Sequence, residues 1–242
     1  MKDNIEIIFR SVGERTEKLA LEAIRRHKEP IILKNIIPAS EMVKKMFNVM
    51  CKHPNKWFIA VDADLILKED WLKAIKEIVK KNIKSECIVP TTLDYIQNST
   101  CHRGSRMYNT KFAKQLYNVV ANKDFSKHVV LEREITIRGG CKHVLSHTVI
   151  GYHGFEQFYR DIYNTHIRIG YSNPPHGKRI LATIKNPNTA YKIAAYEGLL
   201  LGLNGKQIVK DTREYMPYTL AEERGCCTLT LDEFYKKYRR SN

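Results

Sequence analysis

Up to Pro90, short apolar runs alternate with amphipathic stretches. Ile5 to Arg10 is brief, β-branched and apolar, which reads as a buried strand. Residues 15–26 place Leu19, Ala20, Ala23 and Ile24 at helical spacing. After Pro30, Ile31-Ile32-Leu33 forms a second apolar strand, and from Ser40 a helix carries Met42, Val43, Met46, Phe47 and Met50 on one face. Trp57 to Val61 is a third strand, ending in Asp62-Ala63-Asp64. Glu69-Asp70 opens a helix that buries Trp71, Leu72, Ile75, Ile78 and Val79, its acids set at the positive end of the macrodipole. Cys87 to Pro90 is a fourth strand. Strands and helices in this alternation predict an α/β fold, a parallel central sheet flanked by helices.

Past Pro90 the pattern weakens. Residues 91–110 read as polar and irregular, 111–121 as a helix, and 129–137 as a strand broken by Gly139-Gly140. A strand-like run covers 147–152. A helix follows over 155–169, where Phe155, Phe158, Tyr159 and Tyr163 recur at core-facing spacing. Residues 171–177, with Asn173-Pro174-Pro175, read as a loop; 189–203 read as a helix capped by Asn204-Gly205, and 206–215 as a shorter one. The tail from Asp232 is basic and aromatic.

Composition narrows the classes. The 242 residues are 43% hydrophobic and 28% charged, which is globular rather than disordered. No run approaches the roughly 18–20 apolar residues of a membrane span, and the start at Met1-Lys2-Asp3-Asn4 lacks a signal peptide's apolar core, so a cytoplasmic protein is expected. The six cysteines, Cys51, Cys87, Cys101, Cys141, Cys226 and Cys227, form no Cys-x-x-Cys pair and read as free thiols. A net charge of +15 favours anionic partners: phosphates, nucleic acid or an acidic membrane face.

The chemistry concentrates at Asp62-Ala63-Asp64. Alternation along a strand sends Asp62 and Asp64 the same way and Ala63 the other. Two carboxylates together at a strand's C-terminal end call for neutralisation, which a divalent cation with oxygen ligands supplies, and strand ends are where open α/β sheets bind ligands. His153, between Gly151-Tyr152 and Gly154, is a candidate third metal ligand after Asp62 and Asp64; His147 and His166 are weaker ones. Arg103 and Arg106, beside Gly104, could fork onto a phosphate. Glu132-Arg133-Glu134, on the expected strand, puts both acids on one face.

The run from Ile5 to Leu72, closing in Asp-x-Asp, resembles the nucleotide-sugar half of GT-A-fold glycosyltransferases of the family-2 kind. The resemblance implies a Rossmann-like nucleotide-sugar and catalytic domain over 1–170 and a helical C-terminal extension over 171–242. It implies a manganese or magnesium ion held by Asp64, with Asp62 on the metal or the ribose. The loop after the first strand, Arg10, Ser11, Glu14 and Arg15, would border the nucleotide. The donor would be UDP- or GDP-linked and the acceptor a glycan, a lipid-linked sugar or a protein, as in surface polysaccharide synthesis. An inverting reaction would need a carboxylate base; Glu156 is the first choice, and Glu132, Glu134 and Asp161 are the others. Tyr235-Lys236-Lys237-Tyr238-Arg239-Arg240 could touch an anionic membrane at its inner face.

Two other readings stand beside it. A nucleotidyltransferase also gathers acids around a metal on an α/β sheet, but residues 11–15 hold one glycine where a phosphate loop would hold several. A nucleic-acid-binding module would suit the charge, yet no recognition helix, RNA-recognition signature or zinc-finger spacing is present.

Overall fold

The computed structural model describes residues 4–53, 56–95, 99–122, 131–155, 159–184, 190–207 and 229–238. In chain order the elements are β1 (Ile5–Ser11), α1 (Glu17–Arg25), β2 (Ile31–Lys34), α2 (Ala39–Cys51), β3 (Trp57–Asp62), β4 (Leu65–Leu67) and α3 (Trp71–Lys81). Then come β5 (Cys87–Asp94), β6 (Ser99–Cys101), β7 (Ser105–Asn109), α4 (Ala113–Ala121), α5 (Leu131–Arg138) and β8 (His143–His153). The chain closes with α6 (Tyr159–Ser172), α7 (Pro174–Thr183), α8 (Ala190–Leu203) and α9 (Leu231–Tyr238).

The strands form one mixed sheet in the order β2-β1-β3-β7-β5-β8-β4, with β6 beside β5. β1 runs parallel to β2 and β3, and β5 runs parallel to β8. β7 lies antiparallel to both β3 and β5, so β3 and β5 point the same way. The C-terminal ends of β1, β3, β5 and β8 therefore share one edge of the sheet.

Strand alternation sorts the core into two layers. Ile5, Ile7 and Phe9 of β1, with Trp57, Ile59 and Val61 of β3, pack under α1, α3 and α9. Ile8, Phe58 and Ala60 point the other way, onto α2, α4 and α5. Strands buried on both faces explain why their sequences read as continuous apolar runs. A third cluster joins α6, α7 and α8 through Ile162, Ile167, Ile180 and Leu199. There a Cβ on Gly202 would sit 2.2 Å from the Ile167 carbonyl oxygen, so only glycine lets α8 come this close to α6.

The expected elements hold as far as Pro90, with the short strand β4 added to them; the sheet is mixed rather than parallel, and three later readings are corrected. The stretch 91–110 is not irregular, because it completes β5 and supplies β6 and β7. Thr91, Thr92, Asp94, Ser105 and Asn109 are polar residues buried inside the sheet. The Thr91 hydroxyl donates to the Ser146 carbonyl at 2.6 Å, for example, and this hid the strand pattern. The strand expected over 129–137 is helix α5 from Leu131 onward. Leu131 and Ile135, four apart, are its buried apolar pair, with Thr136 buried beside them, and in a helix Glu132 and Glu134 do not share a face. The loop expected over 171–177 shrinks to Asn173. Its side chain accepts from the His176 amide, and prolines at the start of α7 fit the first helical turn. Of the helix expected over 206–215, residues 206–207 are non-helical and the rest lie outside the described residues.

The described part of the C-terminal tail, α9, packs into the core. Tyr235 is buried and its hydroxyl donates to the Leu67 carbonyl at 2.6 Å. Tyr238 packs against Tyr95, Tyr152, Phe155 and Phe234, with ring centroids 4.7–6.1 Å apart. Among the described residues, no helix is long and apolar enough to cross a membrane.

Candidate functional site

Asp62 is the last residue of β3, and Asp64 sits two residues on, in the tight turn into β4. The turn is pinned from several sides. The Asp62 amide donates to the Gly104 carbonyl, the Ala63 amide to the Arg10 carbonyl, and the Thr16 hydroxyl to the Ala63 carbonyl at 2.8 Å. Ala63 is fully buried, as a strand-end alternation requires.

The two acids have different partners. Asp62 takes both Nε and one terminal nitrogen of Arg10 on a single oxygen, at 2.8 and 2.7 Å. Arg10 is buried, and its other terminal nitrogen lies 2.8 Å from Glu132, which also accepts from the Tyr108 hydroxyl at 2.5 Å. Burial opposes the guanidinium's charge, but Asp62 and Glu132 outweigh it and raise its pKa further. Burial, with Asp64 and Glu132 nearby, pushes Asp62 above the usual carboxylate range despite Arg10.

Asp64 faces an imidazole. Its Oδ2 lies 3.3 Å from His153 Nε2, and His153 Nδ1 lies 3.3 Å from Asp94 Oδ2. Burial works against the imidazolium, yet the two carboxylates hold its pKa well above the ordinary value. Burial likewise disfavours the Asp64 carboxylate, but His153 outweighs it and lowers the Asp64 pKa. The line continues to Arg103, 3.6 Å from Asp94 and 3.4 Å from the His176 ring. Gly104 makes room for this arrangement: its φ is +73°, and a Cβ there would fall 2.8 Å from His153 Cδ2.

Sheet register sets these positions. Asp94 and His153 are partners in the β5–β8 pairing, and Cys101 is paired with Thr92 across β5–β6. Asp94, Cys101 and His153 offer ligand atoms within 4.8 Å of one another, a group able to hold a divalent cation. The structure thus brings together Asp62, Asp64, His153 and Arg103 from the sequence reading, and adds Asp94 and Cys101 in supporting positions; Glu132, a candidate base, is taken up by Arg10 and Tyr108. Asp94 ends a strand as Asp62 does. That signal was legible only if Thr91-Thr92-Leu93 was read as strand.

The remaining candidates fall as follows. Ser11 and Glu14 close a turn after β1, where the Ser11 hydroxyl contacts Glu14 and Glu17 and Glu14 also accepts from the Val12 amide at 2.8 Å. Burial, with Asp64 nearby, raises the Glu14 pKa. Arg15 follows in the same loop, half-buried. Arg106 lies within β7 opposite Ala60, on the face of the Arg10–Glu132 network rather than in a loop, and Glu132 and Tyr108 raise its pKa against burial. Glu134 pairs with Arg138 at 2.6 Å on α5. Asp161 is half-buried in the first turn of α6, and Glu156 lies outside the described residues. His166 is buried on α6, its Nδ1 bonded to the Ile162 carbonyl, and His147 is exposed on β8. Cys51, Cys87, Cys101 and Cys141 are free thiols.

No family model and no curated protein matches the chain. Solved structures share parts of its arrangement. The synthase of 4-diphosphocytidyl-2C-methyl-D-erythritol from Anaerococcus prevotii is 9% identical, with TM-score 0.44 over 63% of this chain and 90% of that one. A glycosyltransferase involved in glycosylating the major capsid of PBCV-1 is 12% identical, with TM-score 0.41 over 63% and 96%. S. aureus TarS, residues 1–349, is 11% identical, with TM-score 0.40 over 81% and 70%. At these values the likeness is one of general layout, and the reading of the site rests on its own geometry.

Proposed function

We propose that this chain is a metal-dependent glycosyltransferase of the GT-A kind, moving a sugar from a UDP- or GDP-linked donor to an acceptor hydroxyl. The observation that most supports this is the line Asp64–His153–Asp94, at the C-terminal ends of three strands that point the same way. Open α/β sheets bind their ligands along that edge.

The donor set suits a divalent cation. Asp64 offers oxygen, and His153 offers Nε2 once its proton leaves. Asp94 then accepts the Nδ1 proton and fixes the tautomer, as outer carboxylates do for ligating histidines. Manganese or magnesium bound there would neutralise the donor diphosphate and the charge left on the departing nucleoside diphosphate. Arg10 is a positioning residue: it sets Asp62 from beneath, for the ribose or the metal. The Ser11–Arg15 turn borders the nucleotide, and Arg103 stands beside Asp94 where a phosphate oxygen could reach it. The base comes from the segment after His153, where Glu156 and Asp161 fall. Glu134, paired with Arg138, is set aside. The acceptor is a glycan, a lipid-linked sugar or a protein. Any hold on an anionic inner-face membrane would use Lys236 and Lys237, with Arg239 and Arg240 outside the described residues, because Tyr235 and Tyr238 are committed to the core.

The test is thermal stabilisation by UDP and GDP with and without manganese, on the wild type and Asp64→Ala. Ligand at about a hundred times its Kd should add roughly 2.7 kcal/mol. A manganese-dependent shift with one nucleotide, lost in Asp64→Ala, supports the reading. Release of pyrophosphate instead of a nucleoside diphosphate from an active donor would make the chain a nucleotidyltransferase.

A further inference from the structure

His153 has two ring nitrogens, and they face different chemistry. Nε2 points to Asp64, an all-oxygen partner; Nδ1 points to Asp94, with the Cys101 sulfur close behind. Cys101 Sγ lies 4.0 Å from Asp94 Oδ2 and 3.2 Å from the Thr92 hydroxyl. Three adjacent strands supply the group. β8 gives His153, β5 gives Asp94, and β6 gives Cys101 one diagonal step away across the β5–β6 pairing. Asp94 is 4% exposed, whereas Cys101 and His153 are half-buried, so the group is rigid at its base and open at its top.

We infer that Asp94, Cys101 and His153 Nδ1 form a second cation site, specific for a thiophilic divalent ion of the zinc class. An imidazole, a thiolate and a carboxylate are the donors zinc takes in tetrahedral sites, while magnesium prefers oxygen alone. The three ligand atoms lie within 4.8 Å of one another, and a tetrahedral ion at about 2.0–2.3 Å from each draws them together by small side-chain movements. The fourth position is left to water. Binding expels the Nδ1 proton of His153 and the thiol proton of Cys101, so two protons leave for one dication. Three groups already surround the site. Arg103, 3.6 Å from Asp94, must yield part of that carboxylate. The Thr92 hydroxyl can donate to the thiolate. Asp64 accepts a hydrogen bond from the Nε2–H of the metal-bound ring, which is the usual outer-shell support of a ligating histidine.

One consequence rests on the glycosyltransferase reading. A ring that ligates through Nδ1 keeps its proton on Nε2 and cannot serve the manganese position at Asp64. Zinc would then compete with manganese through a shared imidazole rather than a shared site.

The experiment uses cobalt as the probe. Cys226 and Cys227 are adjacent thiols outside the described residues, so the full chain carries Cys226→Ser and Cys227→Ser to remove their signal. Cobalt titration should produce a near-ultraviolet thiolate-to-cobalt band and tetrahedral visible bands. Cys101→Ser should abolish the thiolate band, and His153→Gln should weaken cobalt binding by about tenfold or more. The band should survive in Asp64→Ala, whereas manganese binding followed by electron paramagnetic resonance should show the reverse: lost in Asp64→Ala and kept in Cys101→Ser. No thiolate band in the Cys226→Ser/Cys227→Ser chain, or a band that persists in Cys101→Ser, would overturn the site. Failure of manganese binding alone would count only against the glycosyltransferase reading. A second measurement needs no change at residue 101. Zinc should slow alkylation of Cys101, followed by peptide mass, and an unchanged rate counts against the proposal.

Discussion

Asp62 and Asp64 stand two residues apart on the same strand end, yet they are held by different kinds of base. Asp62 is fixed by Arg10, whose guanidinium keeps its proton at any pH the fold survives. Asp64 is fixed by His153, an imidazole that can give up a proton and take a metal instead. The first arrangement hangs on a positive charge that does not titrate and reaches down through Glu132 and Tyr108 into the α2–α5 layer. The second is exchangeable and lies at the sheet edge. One half of the Asp-x-Asp pair is therefore held by a fixed charge and the other by a titratable one, a division that the motif alone conceals.

The strongest way to break this contrast is to remove the permanent cation. Arg10→Met leaves Asp62 and Glu132 facing each other without a counter-charge, and should cost about 3–5 kcal/mol in urea unfolding. Arg10→Lys keeps the charge but loses the fork, and should fall between that variant and wild type. Arg10→Met/Glu132→Gln should be less damaging than the sum of its parts, because the stranded carboxylate goes with it. If Arg10→Met unfolds like wild type, the network is not structural.

A second histidine sharpens the comparison. His166 is 2% exposed, donates Nδ1–H to the Ile162 carbonyl at 2.7 Å, and has no partner for Nε2 among the described residues. Burial pushes its pKa down to about 4, the opposite of His153. The sign follows directly. The fold needs His166 neutral, so its contribution is whole above the unfolded value near 6.5 and is lost as pH falls toward 4, up to about 3 kcal/mol. The stability of His166→Asn should depend less on pH across that window. An identical acid slope in wild type and variant would remove His166 as the cause.

What the sequence shows of this molecule depends on which residues fill its strands. β1 and β3 are buried on both faces by mostly apolar side chains, so their runs were readable, and so was the Asp-x-Asp at the end of β3; β2, at the sheet edge with Ile32 exposed, is still short and apolar. β7 is just as central, but it is Ser105-Arg106-Met107-Tyr108-Asn109, a strand whose polar side chains are taken into the sheet, Tyr108 donating to Glu132 and Arg106 lying in the field of Tyr108 and Glu132. No periodicity marks such a strand. The same reason hid Asp94, at the end of Thr91-Thr92-Leu93. α5 was misread because Glu132-Arg133-Glu134 alternates in charge as a strand would, while the spacing that decides it is Leu131 to Ile135. His153 was found through its flanking glycines, although the glycine that admits its ring is Gly104, on a different strand connection.

Gly104 offers a smaller perturbation. Gly104→Ala would have to keep a φ of +73° and push a methyl to 2.8 Å from His153 Cδ2. The expected cost is about 1–3 kcal/mol of stability from the backbone alone. Displacement of the ring should also weaken manganese binding, whereas Gly13→Ala, with a similar φ and nothing within 4 Å, should cost stability only. Equal loss of manganese affinity in both variants would mean that the ring is not what Gly104 accommodates.

The smallest expected effect is also the most discriminating. Asp94→Asn keeps the shape beside His153 and removes the carboxylate that receives Nδ1–H. If Asp94 only orients the ring for a cation on the Asp64 side, manganese affinity should fall about 10–100-fold, or roughly 1.4–2.7 kcal/mol, with little change in unfolding. Cys101→Ser should leave that affinity unaltered, since sulfur lies on the Nδ1 side. For cobalt the ranking should invert, Cys101→Ser removing the thiolate band that Asp94→Asn only weakens. A manganese affinity untouched by Asp94→Asn would detach Asp94 from the Asp64 side altogether. Asp94 would then belong with Cys101, and the imidazole would be shared by two sites that do not help each other.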